Sequence, residues 1–283
     1  MMAEDWMAPK IDAERNVMIK RAQTARLIVI CGYVLMIFAF ILTIGFPCFG
    51  LPFRRLTNLT DRDRTLPLQT YYFYDTDKSP QFELTLLAQA MMSFLTAIIY
   101  TSVDAFLGLT ILHICGQLEN FRRRLISLSS RKDFDCALRN SVIAHLRLIR
   151  FANKIEDIFV LMILGLVIYF GLLGIVFCLF GFLLLTVVTN VENDVSPSRI
   201  VFAIVGVVIL LAHTFLYCYA GEIITEQCNA IYCALYNLNW YKLKSTEARN
   251  LILVMIRASK PFRITAGKVI PLTMTTFCSV RLY

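Results

Sequence analysis

Histidine and cysteine, which often carry chemistry in proteins, are scattered along this sequence. The three histidines, His113, His145 and His213, lie far apart, and the nine cysteines contain no CxxC pair. Neither a zinc site nor a disulfide framework is supported, because both depend on cysteines or histidines at defined spacings. The glycines form no phosphate-binding loop. The sequence therefore predicts no enzyme, no metal site and no cofactor.

Two ionisable residues, Asp104 and Lys268, lie amid apolar sequence. An unpaired charge at the centre of a bilayer costs at least about 2.5–3.5 kcal/mol on insertion scales, so such a residue has a partner or a function. The structural interpretation is a polar contact between helices. The functional interpretation is that Asp104 joins a polar network between a ligand pocket and a pore.

The composition places these residues in a membrane protein. The chain has 283 residues, of which 58% are hydrophobic and 17% are charged, whereas soluble domains are about 45–50% apolar and about 25% charged. A bilayer-spanning helix needs about 20 mainly apolar residues. We predict an all-α integral membrane protein, a polytopic helical bundle forming one membrane domain over 1–283. Its five predicted membrane segments are about 27–46, 84–114, 158–188, 200–220 and 262–283.

Basic residues are distributed unevenly between the two sides of this predicted bundle. Residues 1–26, 113–154 and 227–263 hold five, nine and six Lys or Arg, against five in 47–83 and one in the next outer loop. Because cytosolic loops carry the excess of Lys and Arg, the N-terminus is expected in the cytosol and the C-terminus outside the cell. The net charge of +8 is explained in this way, and nucleic acid is not an expected partner. Asn58, in the sequon Asn58-Leu59-Thr60, is a candidate glycosylation site in the outer loop.

Helical spacing groups apolar and aromatic residues on one face of each of the first two predicted spans. Read without further information, such faces form core or lipid contacts. A further helix over 222–259 is amphipathic and is expected to project into the cytosol, with Ile224, Cys228, Ile231 and Leu235 on one face. The two faces in the spans are Tyr33, Ile37 and Phe40 in the first and Met91, Phe94 and Ile98 in the second.

The C-terminal part carries an ordered series of motifs: Tyr217-Cys218-Tyr219-Ala220-Gly221-Glu222, Asn239-Trp240-Tyr241, Lys260-Pro261, Thr265-Ala266-Gly267-Lys268 and Thr276-Phe277-Cys278-Ser279-Val280. This series resembles the C-terminal signature of insect odorant receptors, the seven-helix ligand-gated cation channels of chemosensory neurons. The stretch at Asp5-Trp6 is similar to the one that precedes the third helix of many such receptors. The resemblance implies a partial chain without the first two helices and the end of the last.

The resemblance also implies functional assignments. The chain would be a tuning subunit in the plasma membrane, assembled with an odorant co-receptor subunit as a hetero-tetramer through the helix at 222–259. Small hydrophobic odorants would bind an outer pocket lined by Tyr33, Ile37, Phe40, Met91, Phe94 and Ile98, and membrane lipid would surround the helices. The last segment would line the pore with Thr265, Lys268, Thr273, Thr276 and Ser279.

Three other functions are compatible with an apolar helical bundle. A gustatory receptor channel shares the last helix with the odorant branch, but the motifs from Trp240 to Lys268 favour the odorant branch. A small-solute transporter predicts inverted repeats and broken helices, and the sequence has neither. A metabotropic receptor with an extracellular N-terminus requires the opposite charge bias, which glycosylation mapping at Asn58 would test.

Overall fold

A computed structural model describes residues 2–7, 11–45, 66–67, 72–76, 78–130, 134–190, 197–238 and 240–279. The described part is almost entirely helical, with single helical turns at Ile41–Gly45, Ser127–Ser130 and Trp240–Lys242. A two-stranded antiparallel hairpin pairs Thr265 with Pro271 and Ala266 with Ile270. The elements are α1 (Met2–Met7), α2 (Asp12–Phe40), α3 (Gln81–Ile126), α4 (Phe134–Asn190), α5 (Pro197–Tyr236), α6 (Ser245–Ala258), β1 (Thr265–Ala266), β2 (Ile270–Pro271) and α7 (Met274–Ser279).

Four helical stretches in the described part are long and apolar enough to cross a membrane. They are Asp12–Gly45, Gln81–Ile126, Phe134–Val176 and Val207–Lys242. Each overlaps one of the first four predicted spans, because a continuous apolar run of about 20 residues satisfies its backbone only as a helix when water is absent. The all-α membrane fold predicted from the sequence is therefore confirmed.

The chain falls into two compact units rather than one. Unit 1 contains Met1–Ala25, Gly108–Leu172 and Leu211–Tyr283, and unit 2 contains Arg26–Leu107 and Leu173–Leu210. Each of the four long helices contributes one part to each unit. The single membrane domain over 1–283 stays a prediction, because all four helices run through both units.

Unit 1 has a closely packed core. The four residues predicted to share one face of α5, namely Ile224, Cys228, Ile231 and Leu235, are all buried. Met18, Leu125, Leu128, Ile163 and Leu251, from the other helical segments, are also fully or almost fully buried. In unit 2, by contrast, most of the large apolar side chains described on α2 and α3 are exposed, as is expected of positions that contact lipid.

The helix predicted over 222–259 is interrupted. It ends at Tyr236 as part of α5, and α6 begins at Ser245 after a 3-10 turn at Trp240–Lys242. The backbone N–H of Lys244 donates to the carboxylate of Glu247 at 3.3 Å. A helix start leaves backbone N–H groups without intrahelical partners, and Glu247 satisfies the one just before α6. The prediction of one continuous helix was therefore wrong.

The predicted last membrane segment, 262–283, also begins differently. Gly267 and Lys268 have φ values of +63° and +59°, which an α-helix does not contain. They form the turn of the β1–β2 hairpin, and helix resumes only at Met274. The start of this segment is thus corrected to a hairpin followed by the short helix α7.

Candidate functional site

The faces predicted on α2 and α3 approach each other within unit 2. The rings of Phe40 and Phe94 lie 5.3 Å apart, centre to centre, with a tilt of 59°, an arrangement that aromatic pairs favour. Further along the same helices, the hydroxyl oxygen of Tyr33 is 2.8 Å from Oγ of Ser102. The two helices thus share an aromatic contact and a polar contact.

The polar contact has a defined direction. Oγ of Ser102 donates its only hydrogen to the carbonyl oxygen of Ile98 at 2.7 Å. Because a serine hydroxyl has one hydrogen and can accept as well as donate, Tyr33 must be the donor in its bond to Ser102. The phenolic oxygen of Tyr33 consequently keeps its acceptor capacity, while its hydrogen is already used.

The other three predicted pocket residues belong neither to the Phe40–Phe94 ring pair nor to the Tyr33–Ser102 hydroxyl pair. Ile37 and Met91 are about half exposed, and Ile98 is half-buried. The first turns of α3 instead receive polar contacts that were not predicted: Nε2 of Gln89 donates to the hydroxyl of Tyr72 at 2.8 Å. The structure therefore pairs Phe40 with Phe94 and Tyr33 with Ser102, and it shows a separate polar contact of Gln89 with Tyr72.

A second cluster, in unit 1, surrounds the start of α7. A Cβ atom added to Gly221 of α5 would lie 2.1 Å from the carbonyl oxygen of Leu272. The backbone at Leu272 thus approaches α5 so closely that only glycine fits at position 221. The next residue, Glu222, accepts a hydrogen bond from the backbone N–H of Met274 at 3.0 Å. Oγ1 of Thr273 accepts from the N–H of Thr276 at 3.2 Å. Two side chains thus satisfy the first N–H groups of α7.

The hairpin that precedes α7 is attached to α4. The N–H of Gly267 donates to the carbonyl oxygen of Val160 at 3.2 Å, and Nζ of Lys268 is 3.0 Å from Oδ1 of Asp157. The hydroxyl of Thr265 donates to the carboxylate of Glu156. Two residues predicted to line a pore, Thr265 and Lys268, therefore lie in a hairpin against α4.

The other three predicted pore residues are Thr273, which directly precedes α7, and Thr276 and Ser279, which lie within it. Thr273 caps the helix, and Ser279 follows Thr276 by three positions within it, so the two share a face. Asp104 lies half-buried in α3. Asn58, the candidate glycosylation site, lies outside the described residues.

The beginning of α2 is tied to the end of α3 by charged contacts that the sequence did not reveal. Nε and Nη2 of Arg124 donate to the two carboxylate oxygens of Glu14 at 2.6 Å and 2.7 Å. Arg21 forms a second ion pair, with Glu119, at 3.1 Å. A bidentate arginine–carboxylate pair is among the stronger hydrogen-bonded contacts, and Glu14 is almost fully buried.

A family model described as 7tm odorant receptor matches residues 7–281 of the chain. The chain belongs to the insect odorant receptor family. This family is one of receptors rather than enzymes, and its members are multi-pass membrane proteins, in agreement with the four long apolar helices. The family match covers both clusters described above.

Individual relatives agree with this membership. Odorant receptor 10 of Aedes albopictus is 27% identical over 209 residues, which cover 72% of this chain and 53% of the relative. Odorant receptor 82a of Drosophila melanogaster is 22% identical over 211 residues, which cover 74% and 52%. This odorant receptor chain thus spans about half the length of the curated relatives it matches.

A solved structure shows the same fold. The insect olfactory receptor OR5 from Machilis hrabei, in complex with eugenol, superimposes on this odorant receptor chain with a TM-score of 0.74. The superposition covers 96% of this chain and 68% of that one at 17% sequence identity. At that identity the likeness establishes the fold alone.

Sequence reasoning missed Ser102, Gln89, Glu156 and Asp157 in this receptor. Ser102 and Gln89 are single polar residues in an apolar helix, where a small hydroxyl or amide gives no periodic signal. Glu156 and Asp157 lie at the edge of the predicted third span, and their partners are more than 100 residues away in sequence. The only available signal was the position of acidic residues immediately before an apolar run.

Proposed function

We propose that this receptor is a subunit of an odorant-gated, non-selective cation channel. It assembles with a co-receptor subunit as a hetero-tetramer in the plasma membrane, with its N-terminus in the cytosol and its C-terminus outside. Family membership supports the receptor role, and the excess of basic residues in 1–26, 113–154 and 227–263 supports the orientation. Odorant binding then shifts the population toward the open pore through its differential affinity for the two states.

The α2–α3 contact in unit 2 is proposed as the place where the odorant binds. The observation that carries this assignment is the combination of the Phe40–Phe94 ring pair with the Tyr33–Ser102 hydroxyl pair. Small-molecule sites combine apolar and aromatic walls with a few polar groups that orient the ligand. Ile37, Met91 and Ile98 are proposed to supply further apolar contact, and α7 with Thr273, Thr276 and Ser279 to line the pore.

The direction of the Tyr33 hydrogen bond specifies which ligands benefit from it. Since the hydrogen of Tyr33 is donated to Ser102, its phenolic oxygen is available as an acceptor. An odorant with a hydroxyl group can donate to this oxygen without breaking the existing bonds. An ether or ketone must first displace Ser102, so alcohols and phenols are the favoured class.

The test is a whole-cell recording from cells that express this chain with an insect co-receptor. Alcohols and phenols are applied beside their methyl ethers, on the wild type and on Tyr33→Phe. One neutral hydrogen bond contributes about 0.5–1.5 kcal/mol, so the variant should lose about 2- to 12-fold in sensitivity to the alcohols and little to the ethers. Tyr236→Phe, at an exposed position of α5 in unit 1, is the matched control.

Two results would contradict these proposals. An equal loss of sensitivity to alcohols and ethers in Tyr33→Phe would remove the hydrogen-bonding role of Tyr33. No odorant-evoked current in the wild type with co-receptor, although the protein reaches the cell surface, would count against the channel assignment for this chain.

A further inference from the structure

A cavity of about 250 Å³ lies within unit 1. Residues of α3, α4, α5 and α6 and the segment that follows α6 surround it. Part of its lining is apolar and includes Ile114 and Leu118 of α3, Leu148 of α4 and Ile231 of α5. A ligand that fills the cavity therefore needs an apolar portion.

Three basic residues also line the cavity. Arg257, at the end of α6, and Lys260 and Arg263 in the following segment all line the cavity and are all exposed. In the described part of the chain none of these three side chains has an ion-pair partner. The only carboxylate in the lining belongs to Glu156, and it accepts a hydrogen bond from Thr265. Three positive charges against one negative charge leave about two in excess.

A buried polar atom in the cavity wall also has no partner among the described residues. Nδ1 of His145 is buried without a hydrogen bond. The imidazole ring is held in place because it stacks on the ring of Phe121, with centres 4.4 Å apart and planes within 5°. Buried polar atoms nearly always have a hydrogen-bond partner, so a ligand atom or a water molecule is expected beside this nitrogen.

We infer that the cavity binds a phosphate-bearing anion. A phosphate monoester carries about −1.5 to −2 charge and three acceptor oxygens, which matches the excess charge and the number of cations. Arginine binds such oxygens through its planar fork and lysine as a point charge. The apolar wall then takes the carbon-rich part of the ligand, and His145 completes the hydrogen bonds.

Two sources can supply this chemistry: a phospholipid headgroup of the inner leaflet or a soluble phosphate ester. The lipid source rests on the proposed orientation, which places residues 227–263 in the cytosol. Basic pockets between helices at that side are suited to polyphosphorylated lipid headgroups, because the inner leaflet carries the anionic lipids. The soluble source does not depend on the position of the membrane.

The test measures lipid binding to the purified full chain in nanodiscs of phosphatidylcholine. Short-chain phosphatidylinositol 4,5-bisphosphate is titrated, and bound lipid is counted by native mass spectrometry without odorant or co-receptor. One variant combines Arg257→Gln, Lys260→Gln and Arg263→Gln. The control combines Lys242→Gln, Lys244→Gln and Arg249→Gln, which removes three exposed positive charges from the same region but none from the cavity lining.

Each basic residue near an anionic surface contributes about fivefold in affinity. The cavity variant should therefore bind the lipid about 100-fold more weakly, whereas the control should lose no more than a few fold. Equal losses in the two variants, or none in either, would overturn the assignment. If the cavity variant does not fold, Lys260→Gln with Arg263→Gln, outside any helix, should still lower affinity about 25-fold.

Competition by soluble phosphates distinguishes the two sources. Inositol 1,4,5-trisphosphate that displaces the lipid with similar affinity indicates a site for soluble phosphate esters, whereas displacement only at far higher concentration indicates a lipid site. If neither the lipid nor inositol 1,4,5-trisphosphate binds, the inference is refuted, and that result does not bear on the proposed channel function. Conversely, binding without any odorant response would support the cavity site and contradict only the proposed channel function.

Discussion

Replacing Gly221 with alanine tests how the segment before α7 is held against α5. Gly221 lies within α5, where alanine is the better helix former, so the substitution is unfavourable only because of what lies opposite. The added Cβ would lie 2.1 Å from the carbonyl oxygen of Leu272 and 3.1 Å from its Cβ. The nearest atom belongs to the backbone, which cannot rotate away as a side chain can.

The magnitude follows from these distances. Ordinary contact begins at 3.4 Å, so the backbone at Leu272 must retreat by about 1.3 Å. That movement lengthens the 3.0 Å bond from Met274 N–H to Glu222 beyond hydrogen-bond range. Overpacking of this kind costs about 1–3 kcal/mol, or roughly a 5- to 150-fold shift toward the detached state, and the lost hydrogen bond adds to it.

Hydrogen–deuterium exchange of the purified protein measures this shift directly. The N–H groups of Leu272 and Met274 donate to Ile264 and Glu222 in the native state, and they exchange when the segment detaches. We expect Gly221→Ala to accelerate their exchange by the factor given above. The melting temperature should fall as well.

Gly165→Ala provides the matched control, because an added Cβ at Gly165 of α4 meets no atom within 4 Å. Its exchange should equal that of the wild type, and its melting temperature should stay constant or rise through improved helix propensity. Equal exchange at Leu272 and Met274 in Gly221→Ala, Gly165→Ala and the wild type would refute the close approach between α5 and the C-terminal segment.

Three further substitutions have distinct expected effects on the melting temperature of the purified protein. Gly267→Ala should lower the melting temperature, but less than Gly221→Ala. The positive φ of +63° costs alanine about 1–2 kcal/mol, whereas the atoms nearest the added Cβ belong to the side chain of Leu164, which can move. An unchanged melting temperature would contradict the turn. Glu14→Gln should destabilise by about 1–3 kcal/mol, because the partly buried Arg124 loses an ionised partner, and a neutral outcome would show that this pair contributes nothing net. Lys268→Gln should leave the melting temperature unchanged, since both members of its pair with Asp157 are mostly exposed and water screens them; a clear decrease would mean that this pair is buried in the native protein.

The helices that could be predicted are those whose signal is local. An apolar run of bilayer length predicts a helix regardless of its neighbours, and four of the predicted spans have helical counterparts. The buried face from Ile224 to Leu235 followed from spacing alone. Helical spacing grouped Phe40 and Phe94 with their neighbours on single faces of the two spans, whereas the idea that these faces share a pocket came from the resemblance to the receptor family, and the ring pair itself became visible only in the structure.

The features that could not be predicted depend on distant residues. Residues 262–273 were predicted to begin a membrane helix, yet they contain a hairpin whose Gly267–Lys268 turn contacts Val160 and Asp157 of α4. Ser102 became part of the candidate pocket only because Tyr33 lies opposite it. A single hydroxyl in an apolar helix has no pattern that would distinguish it beforehand.

The sequence by itself determined the membrane class, the helical fold and the family, because these depend on composition, run length and short ordered motifs. Only the tertiary structure decided that Glu222 caps α7, that Glu14 holds Arg124, and that three cations line one cavity. The physical reason is that such contacts join residues from different helices, and their pairing depends on how those helices pack.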